Sequence, residues 1–142
     1  MAYIQTFIFY CQEHSILSLE KMGLLEQNMT TDEKTKISIG IVKSAGALAL
    51  KFFQDLANLN VEKKGHQDFV SRADKDVELF ARTALEQTLP DDGIVGEEQD
   101  PKPGSSGFTW VIDPIDGTTN FINGIPVWTI VLAGFCDDKT QI

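Results

Sequence analysis

The sequence has 142 residues, 42 % hydrophobic and 23 % charged, which is the composition of a folded domain rather than a disordered segment. A chain of that length buries roughly two thirds of its unfolded surface. Its 12 basic and 21 acidic residues leave a net charge of −9, which argues against a nucleic-acid backbone or an anionic membrane as the main partner.

Residues 1–29 differ from the rest and are expected to form an N-terminal extension. Tyr3, Ile4, Phe7, Ile8, Phe9 and Tyr10 suit a helix or a strand, and periodicity does not decide between them. Ile4–Cys11 is shorter than the ~18–20 apolar residues that span a bilayer, and it lacks the positive start and small-residue cleavage site of a secretory signal. Two readings stay open: an extension ahead of a start at Met29, or an extra helix.

The first clear helix begins at Thr30 or Thr31, where Thr30 and Glu33 have capping-box spacing. Ile37, Ile41, Ala45, Leu48, Phe52 and Leu56 then recur on one face, which predicts a helix over 33–57. Val61–Lys64 is a candidate strand and Gly65-His66-Gln67 a turn. A second helix over 74–89 presents Val77, Phe80, Ala81, Ala84, Leu85 and Leu89 inward, and Pro90-Asp91-Asp92-Gly93 stops it with turn chemistry. Ile94-Val95 is a brief buried strand leading to Gly96-Glu97-Glu98. Residues 99–108, rich in Pro, Gly and Ser, are expected to form a surface loop. Strands follow at Trp110–Asp113 and Val127–Phe135, and Asp137-Asp138-Lys139 is a turn. Thr140–Ile142 is expected to start a returning strand, which would end the chain inside a hairpin. The fold class expected is α/β, with the two helices packed on a mostly antiparallel sheet.

Cys11 and Cys136 lie far apart and in no metal-ligand spacing, so a reducing cytoplasm is the default location. His14 and His66 are isolated and offer too few ligands for zinc. An acidic chain that handles an anionic substrate needs its local charge reversed, which a bound divalent cation does.

Asp113-Pro114-Ile115-Asp116-Gly117-Thr118 follows a strand. Pro114 fixes its own φ and biases Asp113 toward extended geometry, so that Asp113, the Ile115 carbonyl and Asp116 could converge. Oxygen ligands of this kind suit Mg²⁺. Gly117 allows close approach of the backbone to a ligand, and Thr118 and Thr119 stand where helix amides favour phosphate. The bland alternative is that Asp-Pro and Asp-Gly are turn dipeptides and Thr a cap. Gly96-Glu97-Glu98, at another strand end, could complete a metal site or be a solvated pair. Asp74 opens the second helix as a functional acid or a favoured first-turn residue.

Asp68-Phe-Val-Ser-Arg-Ala-Asp74, Gly96-Glu97-Glu98 and Trp110-Val-Ile-Asp113-Pro-Ile-Asp116-Gly117-Thr118-Thr119-Asn120-Phe121 occur in this order. Together they resemble the successive N-terminal motifs of the inositol monophosphatase family. The resemblance implies the N-terminal part of a layered αβαβα sandwich, spanning residues 30–142. It also implies a Mg²⁺-dependent phosphomonoesterase that uses a metal-activated water. Glu97, Asp113 and the Ile115 carbonyl would hold a first Mg²⁺, and Asp113 with Asp116 a second. Asp74 and Thr118 would orient and deprotonate water, and the Gly117 and Thr118 amides would bind phosphate oxygens. Lys64 and Glu98 are candidates for supporting roles.

Members of that family are longer, and their C-terminal half carries a Trp-Asp motif that completes the second metal site; no part of this sequence matches it. The expectation is therefore a truncated phosphatase, with a non-catalytic interaction piece that keeps a weak Mg²⁺ site as the alternative. Thr118-Thr119-Asn120-Phe121 resembles the inositol branch, and histidinol phosphate, fructose bisphosphate and 3′-phosphoadenosine phosphates are the other substrates considered. A homodimer is common in the family.

Overall fold

The computed structural model describes residues 29–58, 61–65 and 68–136. The expectations for residues 1–28, His66-Gln67 and 137–142 fall outside the described residues.

Helix α1 runs Thr31–Gln54, and its start is the expected capping box. Thr30 Oγ1 accepts from the Glu33 amide at 3.3 Å, and Glu33 Oε2 accepts from the Thr30 amide at 2.9 Å. A 3-10 turn at Leu56–Asn58 follows. The buried face is rotated from the one expected: it consists of Lys34, Ser38, Ile41, Val42, Ala45, Gly46 and Ala49. Ile37, Leu48, Phe52 and Leu56 are only partly buried and pack against the rim of the core. The small residues let α1 come close to its neighbours, and the large ones fill in at the sides. By length and composition α1 would pass for a membrane-spanning helix. Its buried Ile41, Val42, Ala45 and Ala49, together with its packing on α2 (Arg72–Thr88) and β5 (Thr129–Cys136), are those of a core helix.

Strand β1 (Val61–Gly65) pairs antiparallel with β2 (Asp68–Ser71) in a sheet of their own. The candidate strand at Val61–Lys64 thus stays out of the main sheet. It pairs instead with the short segment that runs straight into α2. On α2 the buried stripe is Ala73, Asp74, Val77, Glu78, Ala81, Arg82 and Leu85. Phe80, expected inside, is 38 % exposed, because the charged residues Glu78 and Arg82 occupy part of the inner face.

The main sheet has the order β3-β4-β5, with β3 at Gly93–Gly96 and β4 at Phe108–Asp116. β3 runs parallel to β4, and β5 antiparallel to it. The sheet is therefore mixed, with α1 and α2 packed on it. The segment after β3 is more than a surface loop. Ile94 and Lys102 exchange backbone hydrogen bonds of 2.9 and 2.8 Å, which covers the outer edge of β3 and removes an open pairing edge. Helix α3 (Thr118–Ile122) is anchored by the fully buried Phe121, whose ring packs on Phe53 and Trp128 at 5.3 and 5.0 Å between centroids.

A buried polar cluster ties these layers together. Lys34 Nζ donates to both carboxylate oxygens of Asp92. Ser106 Oγ donates to the same group at 2.6 Å and Trp110 Nε1 at 2.9 Å. Lys34 also lies 4.3 Å from the centre of the Phe108 ring. Removing Asp92 would leave a buried ammonium and an indole N–H without their acceptor. Asp92→Ala is accordingly expected to cost about 3–5 kcal/mol in urea unfolding. Lys34→Met is expected to cost less, because Ser106 and Trp110 still serve the carboxylate.

Candidate active site

The candidate site lies where β4 loses its regular register. Asp113 is opposite Val131 and Asp116 opposite Thr129, so three steps on β4 face two on β5. That is a bulge, and it contains Pro114, which has no amide to give to the ladder. The backbone groups released there serve the site. The Ile115 amide bonds to the Asp113 carboxylate, and the Ile115 carbonyl accepts from Thr118 Oγ1 at 3.0 Å. That carbonyl keeps a second lone pair for another partner. Gly117 then turns the chain into α3 with φ +97°, a conformation glycine adopts without strain. A side chain there would also crowd the Val127 carbonyl, at 3.2 Å from its Cβ.

Asp74 comes from the first turn of α2 and is buried. It accepts from Thr118 Oγ1 at 3.2 Å, a link between residues 44 apart in sequence. The single Thr118 hydroxyl proton is thus shared between Asp74 and the Ile115 carbonyl. Glu97 and Asp116 are exposed and Asp113 is half-buried. Asn120, inside the long motif, donates to the Val127 carbonyl at 2.8 Å and holds the turn ahead of β5. Glu98 is half-buried, while the Lys64 side chain lies outside the described residues.

The electrostatics centre on Asp113. Its Oδ1 is buried and has no hydrogen-bond partner. Burial pushes the carboxyl up to about 6, the charges of Glu97, Asp116 and Asp74 push in the same direction, and the Ile115 amide opposes them. Asp113 therefore senses the other three acids singled out in the sequence. Among the described residues, no three His, Cys, Asp or Glu side chains stand close enough to grip an ion as they are. The donor set still fits a hard cation: it is all oxygen, and it includes a buried carboxylate oxygen with no partner of its own.

Two residues next to this group escaped the sequence reading, the buried Glu78 and Arg82. Glu78 accepts the backbone amides of Glu97 and Glu98 at 2.9 and 2.7 Å. The available signal was a Glu and an Arg four residues apart on the same helical face as Val77 and Ala81.

Residues 30–142 match the inositol monophosphatase family, and the chain belongs to that family. The chain is 39 % identical over 98 residues to an inositol-1-monophosphatase of Rhizobium meliloti, covering 68 % of this chain and 37 % of that protein. It is 37 % identical over 105 residues to a histidinol-phosphatase of Chlorobaculum parvum, covering 74 % of this chain and 39 % of that one. The crystal structure of the extragenic suppressor protein SuhB from Bartonella henselae matches with a TM-score of 0.72 at 30 % identity, over 75 % of this chain and 42 % of that one. The two helices on a mixed sheet are thus part of the αβαβα fold of these neighbours. The chain spans well under half the length of these relatives.

The raised carboxyl has a consequence for stability. The folded state binds the Asp113 proton more tightly than the unfolded chain does, so ionising this group weakens the fold as pH rises from about 3.8 through about 6. Asp113→Asn removes that cost. With a chelator present, the variant is expected to melt higher than the parent chain above pH 6. The difference should shrink toward zero as pH falls below 4, as followed by thermal unfolding across that range.

Proposed function

We propose that this chain contributes the N-terminal, metal-binding portion of a Mg²⁺-dependent phosphomonoesterase acting on a small phosphorylated alcohol, with myo-inositol monophosphate as the first candidate. The observation that carries this reading is the partnerless buried Asp113 Oδ1 within the field of Glu97, Asp116 and Asp74. On this reading Glu97, Asp113 and the Ile115 carbonyl hold one Mg²⁺, and Asp113 with Asp116 contributes to a second. Bound Mg²⁺ would supply Lewis-acid polarisation of the phosphate and a lowered pKa for the attacking water.

The chain's own residues do the rest. Thr118 Oγ1 donates its proton toward Asp74 and the Ile115 carbonyl, so its lone pairs are free to accept from an incoming water. Asp74, buried behind it, is the base that can take up the proton through the hydroxyl. The Gly117 and Thr118 amides, at the turn into α3, are assigned to phosphate oxygens. No Ser/His or Cys/His nucleophile is called for.

The domain reading belongs to the same proposal: residues 30–142 form the first portion of a longer catalytic domain, and residues 1–29 an extension ahead of it. Coverage of only 37 % of the inositol-1-monophosphatase relative supports this, as does the family pattern that places a further ligand of the second metal in the C-terminal half. A cytoplasmic location, a small-molecule partner rather than nucleic acid or membrane, and a homodimer complete it. Similarity to the histidinol-phosphatase favours histidinol phosphate as the second substrate to try.

Phosphate release by the 142-residue chain, alone and supplemented with the C-terminal half of a family member, with and without Mg²⁺, tests this. Turnover of myo-inositol 1-phosphate is expected only with that half supplied, to require Mg²⁺ and to exceed that of histidinol phosphate. Asp113→Asn should lower it by about 100-fold or more, since even supporting partners of a metal ligand are worth about 10–100-fold. A folded chain that binds Mg²⁺ but gives no turnover even with that half supplied would favour the non-catalytic alternative. A folded chain that does neither would overturn both readings.

A further inference from the structure

We propose that Glu78, braced by Arg82, is a positioning residue that sets the place of the metal-binding carboxylate Glu97 without touching metal or substrate itself. The proposal rests on the reading of Glu97 as a ligand given above.

The geometry is specific. Glu78 is fully buried on α2. Its Oε2 accepts from the amides of Glu97 at 2.9 Å and Glu98 at 2.7 Å, and its Oε1 from the amide of Gln99 at 3.1 Å. Oε1 also takes Arg82 Nε at 2.7 Å. The rest of the Arg82 guanidinium turns to the same segment, with Nη2 donating to the Gln99 carbonyl at 2.9 Å and Nη1 to the Asp100 carbonyl at 3.1 Å. The carboxylate therefore gathers successive amides and the guanidinium gathers the carbonyls that follow them. One ion pair on a rigid helix holds the backbone of residues 97–100 by groups of both polarities.

Gly96 makes this possible. A Cβ at that position would fall on the Glu78 carboxylate and lie 2.8 Å from Arg82 Nη2. The glycine just before Glu97 is thus the opening through which the ion pair reaches the end of β3.

Burying such a pair brings little net stability, since apolar residues of similar volume often do as well. What the ions provide, and apolar residues cannot, is a fixed course for three consecutive amides. A carboxylate ligand has to be held close to its working position, and Glu97 is itself exposed. The backbone that carries it is set by Glu78 and Arg82.

Mn²⁺ serves as the probe, with its binding to the 142-residue chain followed by electron paramagnetic resonance. The parent chain is compared with Glu97→Gln, Glu78→Gln and Arg82→Lys. Circular dichroism reports folding, and hydrogen exchange reports the amides of residues 97–99. Glu78→Gln turns one acceptor into a donor facing those amides. It is expected to weaken Mn²⁺ binding by about 10–100-fold and to speed exchange at 97–99, at a temperature where the chain stays folded. Arg82→Lys keeps the charge but loses the fork, and it should move both readouts in the same direction by less. If Glu78→Gln does not fold, Arg82→Lys decides. Folded variants that melt lower but bind Mn²⁺ like the parent, while Glu97→Gln loses it, would overturn the proposal and leave Glu78 a purely structural residue. Equal Mn²⁺ binding by the parent and Glu97→Gln would overturn the reading of Glu97, and the proposal with it.

Discussion

Negative charges around a buried carboxyl make it harder to ionise, and that constraint governs Asp113 at the strand ends of this protein. Asp113 carries the effect, pushed up by its own burial and by three neighbouring acids. The acids come from separate anchors. Asp74 stands in the first turn of α2 and is tied to Thr118. Asp113 sits at a bulge and is met by the Ile115 amide. Glu97 rides on a segment whose amides are held by Glu78. Groups that repel stay near one another only when each is fixed independently, and helices and strands fix them better than loops do.

Strand β3 shows how that fixing works. It has four residues, short even among strands, and it pairs parallel to β4 with no helix in the connection. A buried carboxylate secures each end. Before Gly93, Asp92 is held by Lys34 from α1, by Trp110 from β4 and by Ser106. After Gly96, the chain is held by Glu78 and Arg82 from α2. The two networks draw on both helices, so the packing of the helices and the position of Glu97 are coupled. Both networks are satisfied by several donors, the condition under which buried polar groups specify one arrangement rather than weaken it.

What the sequence made legible was local chemistry. The capping box at Thr30 and Glu33, the apolar stripe through Val77, Ala81 and Leu85, and the Asp-Pro-Ile-Asp-Gly-Thr turn depend on neighbours a few residues away. The first two appear where such spacing put them, while Asp113–Asp116 form a bulge inside β4 rather than a turn after it. What stayed hidden depends on partners far along the chain. The inner face of α1 is lined by Ser38, Gly46 and Ala49 rather than Leu48 and Phe52, because closeness of approach and not hydrophobicity selects small residues. Glu78 and Arg82 look like an exposed helix pair until the 97–100 segment closes over them. Nor does composition show that Lys102, in a stretch rich in Pro and Gly, bridges to Ile94. The proposed site was legible as a set of acids, while the hydroxyl link from Thr118 to Asp74 needed the fold.

The buried acids of this chain are treated in two ways. Asp74, Glu78 and Asp92 are all nearly inaccessible, and each has found donors: a threonine hydroxyl, an arginine with three amides, and a lysine with a serine and an indole. Donors are thus not scarce. Asp113 Oδ1, on β4, has none. A buried acceptor left without a partner costs about 1–3 kcal/mol. Trp128 Nε1 shares that condition, and nothing in the structure explains it. For Asp113 the surroundings do supply a reason. Its neighbours are acids, which add negative charge where a structural carboxylate would be given a positive partner. A protein that equips three buried carboxylates with donors and surrounds the fourth with more carboxylates has made that fourth group costly in isolation. Local rules are broken in this way mainly at functional sites, and a cation is the partner whose charge would relieve Asp113.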